Sequence, residues 1–232
     1  MNNFKLHKSE EIHIELTTKC NAACPQCARN IFGNRLNPYM PLTQIPFDDI
    51  SNALDKNVLK HIKRLIFCGM HGDPIIYPKF YELIENVRNK SDVFLITHTN
   101  GGLRKPEWWY NLGKIYGNGI LQFCIDGLED TLHLYRQNVS YTKVIENAKA
   151  FIEGGRRARW DFIVFRHNEH QVEEAKKIAY DLGFNDFRYR KTSRFINHDN
   201  GNIEKTPVEN RLGEITHYIE PPKSEKYISE SI

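Results

Sequence analysis

The sequence lacks any long apolar run and any strong excess of charge of one sign. No stretch is apolar for long enough to span a bilayer, and the first residues, MNNFKLHKSEE, lack the apolar core of a signal peptide. The 32 Lys and Arg residues nearly balance the 29 Asp and Glu residues, which leaves a formal charge of +3. The basic residues form no block, so we expect neither a membrane partner nor a nucleic-acid patch. These absences predict a protein of the cytoplasm or a similar reducing compartment.

Cysteine is scarce, and its number is odd. Five cysteines argue against a disulfide framework and, in a reducing compartment, favour metal binding or redox chemistry. Three of them, Cys20, Cys24 and Cys27, lie within the eight residues CNAACPQC, whereas Cys68 and Cys124 stand alone. The candidate chemistry therefore concentrates in one short loop.

The rest of the chain alternates short apolar runs with amphipathic stretches. Six strands are predicted in EIHIELTT, RLIFC, VFLITHT, GILQFCI, RWDFIVF and DFRYRKTSRF. Five helices separate them, in PFDDISNALDKNVLKHI, PKFYELIENVRN, KPEWWYNLGKIYG, SYTKVIENAKAFIEGG and EHQVEEAKKIAYDLG. This alternation predicts an α/β fold, a partial (βα)6 TIM-like barrel of parallel strands with outer helices. An open, doubly wound sheet is the alternative, and in both folds the reactive groups follow the carboxyl ends of the strands.

The alternation stops near the C-terminus. We expect residues 1–195 to form the core domain, since 232 residues suffice for one hydrophobic core. Residues 196–232 are polar and contain Pro207, Pro221 and Pro222, so they are expected to form a tail. That tail is either irregular or folded over the mouth of the site as a lid.

Three clustered thiols allow two kinds of metal site. Three thiolates can hold three irons of a cubane [4Fe–4S] cluster and leave the fourth iron open to another ligand. A zinc site would need a fourth ligand, for which His13 or His71 is a candidate. The spacing alone leaves both possibilities open.

The context of the cysteine loop, IELTTKCNAACPQCARN, resembles the radical S-adenosylmethionine (radical SAM) superfamily. Four later stretches agree with that family in order and type. CGMHGDPIIYP resembles its glycine-rich GGEP-type motif, HTNGG its Thr-Asn-Gly turn, CIDGLED its S-I-D-G turn, and FRHNEHQVEEA its turn after the fifth strand. Five motifs in order are highly specific for the superfamily, but they do not identify a reaction.

The resemblance implies cofactors and a reaction type. It implies that Cys20, Cys24 and Cys27 ligate a [4Fe–4S] cluster whose open iron chelates SAM. An electron then cleaves SAM to a 5′-deoxyadenosyl radical, which abstracts hydrogen from a substrate. The implied partners are a small-molecule or peptide substrate and an electron donor such as flavodoxin or ferredoxin. Members with a second cluster usually carry a C-terminal cysteine-rich extension, and no cysteine follows Cys124, so one cluster is expected.

Residues at the strand ends are the candidate SAM contacts. Asp73 follows Gly72, whose lack of a side chain permits close approach, and its carboxylate could accept a bond from the SAM ammonium. Asn100 and Asp126 could bond the ribose hydroxyls or the methionyl carboxylate region, and Asn168 could approach the adenine or ribose. Each is also an ordinary turn residue, so a purely structural role is the alternative.

The sequence departs from the family pattern at three positions. Gln26 stands where an aromatic residue that meets the adenine is common, so its backbone remains as the adenine contact. Asp73 replaces the usual Glu, and Cys124 replaces a common Ser. Cys68 and Cys124 are expected to be small buried hydrophobes rather than hydrogen-atom donors.

Two further functional classes stay open beside the radical SAM enzyme. One is a non-enzymatic zinc or iron–sulfur binding module, and the other is a degenerate radical SAM fold without turnover, for which Gln26 is the main reason. The substrate is a peptide, a nucleotide or a sugar-like metabolite. A cationic substrate rim for a carboxylate or phosphate is expected from His71, His98, Arg166, His167, Arg188 and Arg190.

Overall fold

The computed structural model describes residues 10–197 and 202–228. Its strands are β1 (Glu11–Ile14), β2 (Asn30–Ile31), β3 (Arg35–Leu36), β4 (Arg64–Phe67), β5 (Phe94–Thr99), β6 (Gly119–Cys124), β7 (Ala158–Ile163), β8 (Asp186–Arg190), β9 (Thr206–Glu209) and β10 (Ile215–Ile219). Its α-helices are α1 (Phe47–Ala53), α2 (Lys56–Leu59), α3 (Phe80–Lys90), α4 (Pro106–Tyr116), α5 (Leu132–Tyr135), α6 (Tyr141–Glu153) and α7 (Val172–Asp181). Three ranges lie outside the described part: residues 1–9 of the predicted core domain, and residues 198–201 and 229–232 of the predicted tail.

One parallel sheet organises the fold. Its strand order is β1-β4-β5-β6-β7-β8, so every strand pairs with the next sheet strand along the chain. A doubly wound sheet would instead reverse its order at a switch point. The predicted α/β fold, a partial barrel of parallel strands with outer helices, is therefore confirmed.

Aromatic side chains join the outer helices to the sheet. Trp109 of α4 and Phe151 of α6 are fully buried and lie 5.3 Å and 6.3 Å, between ring centroids, from Phe123 of β6. Burying rings of this size removes a large apolar area from water, which is the main favourable term in folding. The helices are thus fixed outside the barrel, and the strand ends are left to carry the polar groups.

Local capping explains the helix boundaries. The Ser140 hydroxyl accepts a hydrogen bond from the Lys143 amide at the start of α6, as its predicted cap requires. The first predicted helix is instead two helices, α1 and α2. Asp55 interrupts it, because its carboxylate accepts a bond from the Val58 amide at 2.8 Å and so begins a new helix.

Two short hairpins were not predicted from the sequence. β2 and β3 pair directly after the cysteine loop, and β9 and β10 pair within residues 196–232. The segment for which the sequence indicates an irregular or lid-like tail therefore contains an antiparallel hairpin, which contacts the cysteine loop. The division into residues 1–195 and 196–232 stays a prediction.

Candidate functional site

The cysteine loop lies between β1 and β2, at the carboxyl end of the first strand. Cys20, Cys24 and Cys27 are free thiols and line one cavity of about 360 Å³. Cys68 and Cys124 line the same cavity, so all five cysteines of the chain meet there. The two cysteines predicted to be small hydrophobes are in fact half-buried in the cavity wall, because each lies at the end of an inner strand.

Polar hydrogens are directed at two of the loop's sulfurs. Cys20 Sγ accepts from the Ala22 amide at 3.4 Å and from Asn100 Nδ2 at 3.5 Å. Cys24 Sγ lies 3.8 Å from Arg136 Nη1, which donates to it. Such donors stabilise negative charge on sulfur, so this donor set fits a thiolate-ligated cluster.

Burial keeps the Cys20 and Cys24 thiols protonated in the absence of a metal. Burial, with the charges of Asp73 and Cys24 next in importance, raises the pKa of Cys20 to about 12. Burial also raises the pKa of Cys24, although Arg136 opposes the rise. A metal centre deprotonates coordinating thiols outright and so would supply the missing positive charge. Within residues 10–197 and 202–228, no three His, Cys, Asp or Glu side chains lie close enough to share a single ion.

The predicted Gly72 lies where two loops meet. A Cβ atom there would be 1.9 Å from the Thr17 carbonyl oxygen, which leaves no space for a side chain. The next amide, of Asp73, donates to the Lys19 carbonyl at 2.9 Å. Glycine therefore lets the glycine-rich loop pack directly against the start of the cysteine loop.

The predicted Asp73 is only 4% exposed, and its carboxylate is already hydrogen-bonded. It accepts from the Ile75 amide at 3.0 Å, from the Thr99 hydroxyl at 3.0 Å and from the Asn100 amide at 2.8 Å. Burial raises the pKa of Asp73, and these three donors oppose the rise. Asp73 borders the cavity, but its bonds mainly fix the turn that carries Asn100.

Asn100 is placed as the sequence predicts, at the cavity. Its Nδ2 donates to Asn21 Oδ1 at 2.9 Å as well as to Cys20, and its Oδ1 accepts from the Gly102 amide at 2.8 Å. Asn100 therefore joins the turn after β5 to the cysteine loop.

Gln26, by contrast, does not line the cavity. Its Nε2 donates to the Thr206 hydroxyl of β9 at 2.9 Å, and its buried Oε1 has no hydrogen-bond partner among the described residues. The side chain thus points toward the C-terminal hairpin. To contact an adenine in the cavity, it would have to break its bond to Thr206 and rotate toward the cavity.

Asp126 and Asn168 lie behind the cavity wall. Asp126 is fully buried and accepts from Arg136 Nε and from the Ile163 amide, both at 2.7 Å. Burial lowers the pKa of Arg136, but Asp126, Cys24, Cys124 and Tyr135 together outweigh this effect and raise the pKa above its ordinary value. Asn168 donates to the Asp126 and Ile163 carbonyls at 2.9 Å and 3.0 Å, so it holds this turn together.

Sequence reasoning missed several cavity residues. Arg29, Tyr135, Arg136 and Arg194 all line the cavity, and the three arginines give it a cationic wall. Arg29 follows Cys27 by two residues, which was the one available signal. The others lie in α5, in the residue that ends it and in the segment after β8, where no motif marks them.

The predicted cationic rim does not form one group. Arg166 is paired with Glu220, Arg188 lies 2.8 Å from Asp186, and His71 lies 3.5 Å from Glu15. His167 stacks on Phe165, whose ring centroid is 5.4 Å away. His98 lines the cavity, and Arg190 binds Asp161 on the inner face of the sheet.

No helix in the described part of the chain combines the length and apolarity required to cross a membrane.

Comparison with known proteins identifies the family. A model of the radical SAM superfamily matches residues 14–179, more than half of the chain. A relative from Pyrococcus furiosus, the tungsten-containing aldehyde ferredoxin oxidoreductase cofactor-modifying protein, is 23% identical over 228 residues. The alignment covers 91% of this chain and 62% of the relative, so the chain spans less than two thirds of that protein.

Solved structures share the fold at low sequence identity. SuiB of Streptococcus suis bound to S-adenosylmethionine superposes with a TM-score of 0.68 at 18% identity, over 88% of this chain and 44% of SuiB. SuiB bound to the precursor peptide SuiA gives 0.67 at 17% identity, over 85% and 43%. anSMEcpe bound to AdoMet and a Cp18Cys peptide gives 0.62 at 17% identity, over 83% and 54%.

The family match confirms the predicted resemblance, the predicted enzyme class and the predicted cofactors of that class, a [4Fe–4S] cluster and SAM. The match begins in β1, runs through the cysteine loop and ends in α7. The chain belongs to the radical SAM superfamily.

Proposed function

We propose that Cys20, Cys24 and Cys27 hold a [4Fe–4S] cluster and that the cavity beside them holds SAM. The observation that supports this most strongly is that the three thiols, the 69–73 loop and Asn100 all border one cavity. When bound, the cluster and SAM supply a radical that abstracts a hydrogen atom from the substrate. The chain's own residues hold, orient and shield these groups.

The residues around the sulfurs set the electrostatics of the site. Asn100 donates to Cys20, and Arg136 donates to Cys24. Hydrogen bonds to the sulfurs, together with burial, are levers by which proteins tune the reduction potential of iron–sulfur clusters. Asp126 holds the Arg136 guanidinium in place from behind, at 2.7 Å.

The predicted SAM contacts divide into two groups. Gly72, Asp73 and Asn100 border the cavity, and we assign them to framing SAM directly. Gln26 is assigned a contact through its backbone, since its side chain binds Thr206.

Asp126 and Asn168 are assigned indirect roles. Asp126 acts through Arg136, and Asn168 acts by holding the Asp126 turn, because its side-chain bonds run to and from backbone groups.

The proposed substrate is a peptide or a small molecule. Two structural neighbours were solved with peptides bound, and the Pyrococcus relative is named for modifying a cofactor. The proposed reductant is flavodoxin or ferredoxin, and the proposed location is the cytoplasm.

The cluster assignment is tested by metal analysis and electron paramagnetic resonance after anaerobic reconstitution with iron and sulfide. We expect about four irons per chain, as a [4Fe–4S] centre requires, and a spectrum of the reduced chain that changes when SAM is added. Cys24→Ala should lose this centre. Cys124→Ser is the matched control and should retain its iron. Stoichiometric zinc in place of iron, or a spectrum that SAM leaves unchanged, would defeat the assignment.

A further inference from the structure

A row of polar side chains crosses the inner face of the sheet below the cysteine loop. The strand register pairs His98 with Gln122 and Gln122 with Arg159. Residues paired in this way point to the same face of a parallel sheet, and His98 places that face at the cavity. The interior of a TIM barrel is usually filled by branched apolar side chains. The same face also carries Ile66, Ile96 and Ile120, but the row from His98 to Arg159 is polar, which suits a polar occupant.

The row carries an excess of positive charge. Asp161 is 6% exposed and accepts from Arg159 Nε at 2.6 Å and from Arg190 Nε at 3.0 Å. Two guanidinium groups thus share one carboxylate, which leaves a net charge of +1. Arg159 is 7% exposed whereas the Arg190 side chain is 46% exposed, so an anion can reach and pair with the surplus charge at Arg190.

The neighbouring groups do not cancel this charge. Asp186 lies beside Arg159 in the strand register, but it is paired with Arg188 at 2.8 Å, so these two charges offset each other. Burial lowers the pKa of His98, so its imidazole is neutral at pH 7 and offers one N–H donor.

Gln122 supplies an independent sign of a missing ligand. It is 3% exposed, and its Oε1 has no hydrogen-bond partner within the described residues. Buried carboxamides are almost always hydrogen-bonded, and this one lies between His98 and Arg159. Since an amide can present either end, it can donate to an anion or accept from a neighbouring hydroxyl or N–H of the same ligand.

The charge can be reached from solvent, and the row to which it belongs ends at the cavity. The Arg190 side chain is 46% exposed on β8, the last strand of the sheet, while His98 borders the cavity. A ligand held by Arg190 and Arg159 would therefore extend along the inner face toward the thiols.

We propose that Arg159, Arg190, His98 and Gln122 form a subsite for an oxyanion of the substrate, a carboxylate or a phosphate. The planar guanidinium fork binds both groups with two parallel hydrogen bonds. This inference rests on the proposed function, because it takes the adjoining cavity as the place of reaction. It narrows the substrate to molecules that carry such an anion.

The test is anion binding to the full chain, with inorganic phosphate and acetate as probes, followed by nuclear magnetic resonance of the probes and of the His98 ring. We expect saturable binding that shifts the His98 signals, and the stronger probe identifies the class of oxyanion. Arg190→Gln should weaken binding by roughly tenfold or more, as loss of a charge-assisted pair implies. Arg190→Lys keeps the charge but lacks the planar guanidinium fork. Its affinity for the probes should lie between those of the unchanged chain and Arg190→Gln.

Arg156→Gln is the matched control, because Arg156 bonds the Gly155 and Lys114 carbonyls at the end of α6. It should bind both probes as the unchanged chain does. Binding that is equal in Arg190→Gln and Arg190→Lys, or no saturable binding of either probe, would overturn the subsite.

The titrations are made on the chain as purified and after reconstitution with saturating SAM, so that the probes cannot occupy the SAM site. Anion binding without any SAM cleavage would defeat the proposed function and support the subsite. SAM cleavage without anion binding would defeat the subsite and leave the proposed function standing.

Discussion

At the residue scale, single buried side chains hold the turns around the cavity. Asp73 accepts from three donors, the Ile75 and Asn100 amides and the Thr99 hydroxyl, and so joins the loop after β4 to the turn after β5. A carboxylate suits this position because it is an acceptor only. An amide of the same shape would place two N–H hydrogens against existing donors.

Asp73→Asn is therefore expected to destabilise the protein. The expected loss is about 1–3 kcal/mol in the free energy of unfolding, since a buried donor would be left without an acceptor. Urea unfolding measures it. Asp92→Asn is the control, because the Asp92 side chain is 82% exposed and should change little. Equal midpoints for the two variants would show that Asp73 does not hold the turn.

His167 should make stability depend on pH. Burial lowers the pKa of His167 to about 4, and its Nε2 is buried without a partner among the described residues. The ordinary value is about 6.5. The unfolded chain therefore binds the proton more readily, so the stabilisation is present above about pH 6.5 and is lost as the pH falls toward 4.

The loss from this group should reach about 3 kcal/mol between pH 6.5 and 4. His167→Phe keeps a ring beside Phe165 and removes the proton, so its stability should fall less over that range. Urea unfolding at several pH values measures both slopes. If the two slopes coincide, the imidazole is not held neutral in the folded chain.

Sequence reasoning located the thiols but not the direction of every side chain. Cys20, Cys24, Cys27, Asp73 and Asn100 border the cavity as their position after the strands predicts. Some turn residues face a site and others only stabilise the turn beside it. The sequence alone does not show which of these two roles a given residue has. For this reason Asp126 and Asn168 turned out to lie behind the wall, and the cavity arginines were missed.

At the scale of elements, the C-terminal hairpin supports the cysteine loop. The Glu209 amide of β9 donates to the Phe32 carbonyl at 2.8 Å, and its carboxylate accepts from Arg35 Nε at 2.7 Å. Gly33 makes this approach possible, because a Cβ there would lie 3.1 Å from the Glu209 carbonyl oxygen. These contacts attach the C-terminal hairpin to the β2–β3 hairpin, and the Gln26–Thr206 bond attaches it to the cysteine loop itself.

Glu209→Ala should loosen this attachment. We expect a loss of about 1 kcal/mol in the free energy of unfolding, because the Glu209 side chain is mostly buried while Arg35 is partly exposed and screened by solvent. Iron retention after reconstitution should also fall. Glu225→Ala, at an exposed position of the same segment, is the control and should change neither quantity. Unchanged iron retention in Glu209→Ala would show that the C-terminal hairpin does not help the cysteine loop to hold iron.

The regular elements were predictable and the hairpins were not. The sheet strands and most of the outer helices follow from apolar periodicity, which a local window of sequence contains. β2 and β3 are two residues each, and β9 meets the turn between them at Gly33, across more than a hundred residues. Pairing of such short and distant segments depends on tertiary contacts, so no local sequence pattern predicts it.

At the scale of the whole molecule, strand order brings the reactive groups together. Six parallel strands in sequential order put their carboxyl ends at one edge, and five cysteines from three separate stretches meet there. The inner face below them carries a polar, positively charged row beside Ile66, Ile96 and Ile120. The proposed cluster loop, the proposed SAM cavity and the proposed substrate subsite are thus brought together by one sheet.

The most direct measurement is the 5′-deoxyadenosine formed when the reconstituted, reduced chain is incubated with SAM. Chromatography should detect 5′-deoxyadenosine from the unchanged chain and none from Cys24→Ala. A reconstituted chain that contains stoichiometric zinc, shows no brown chromophore and yields no 5′-deoxyadenosine would contradict the assignment of these three cysteines to a SAM-cleaving cluster. An intact cluster that yields none would identify a radical SAM fold without turnover.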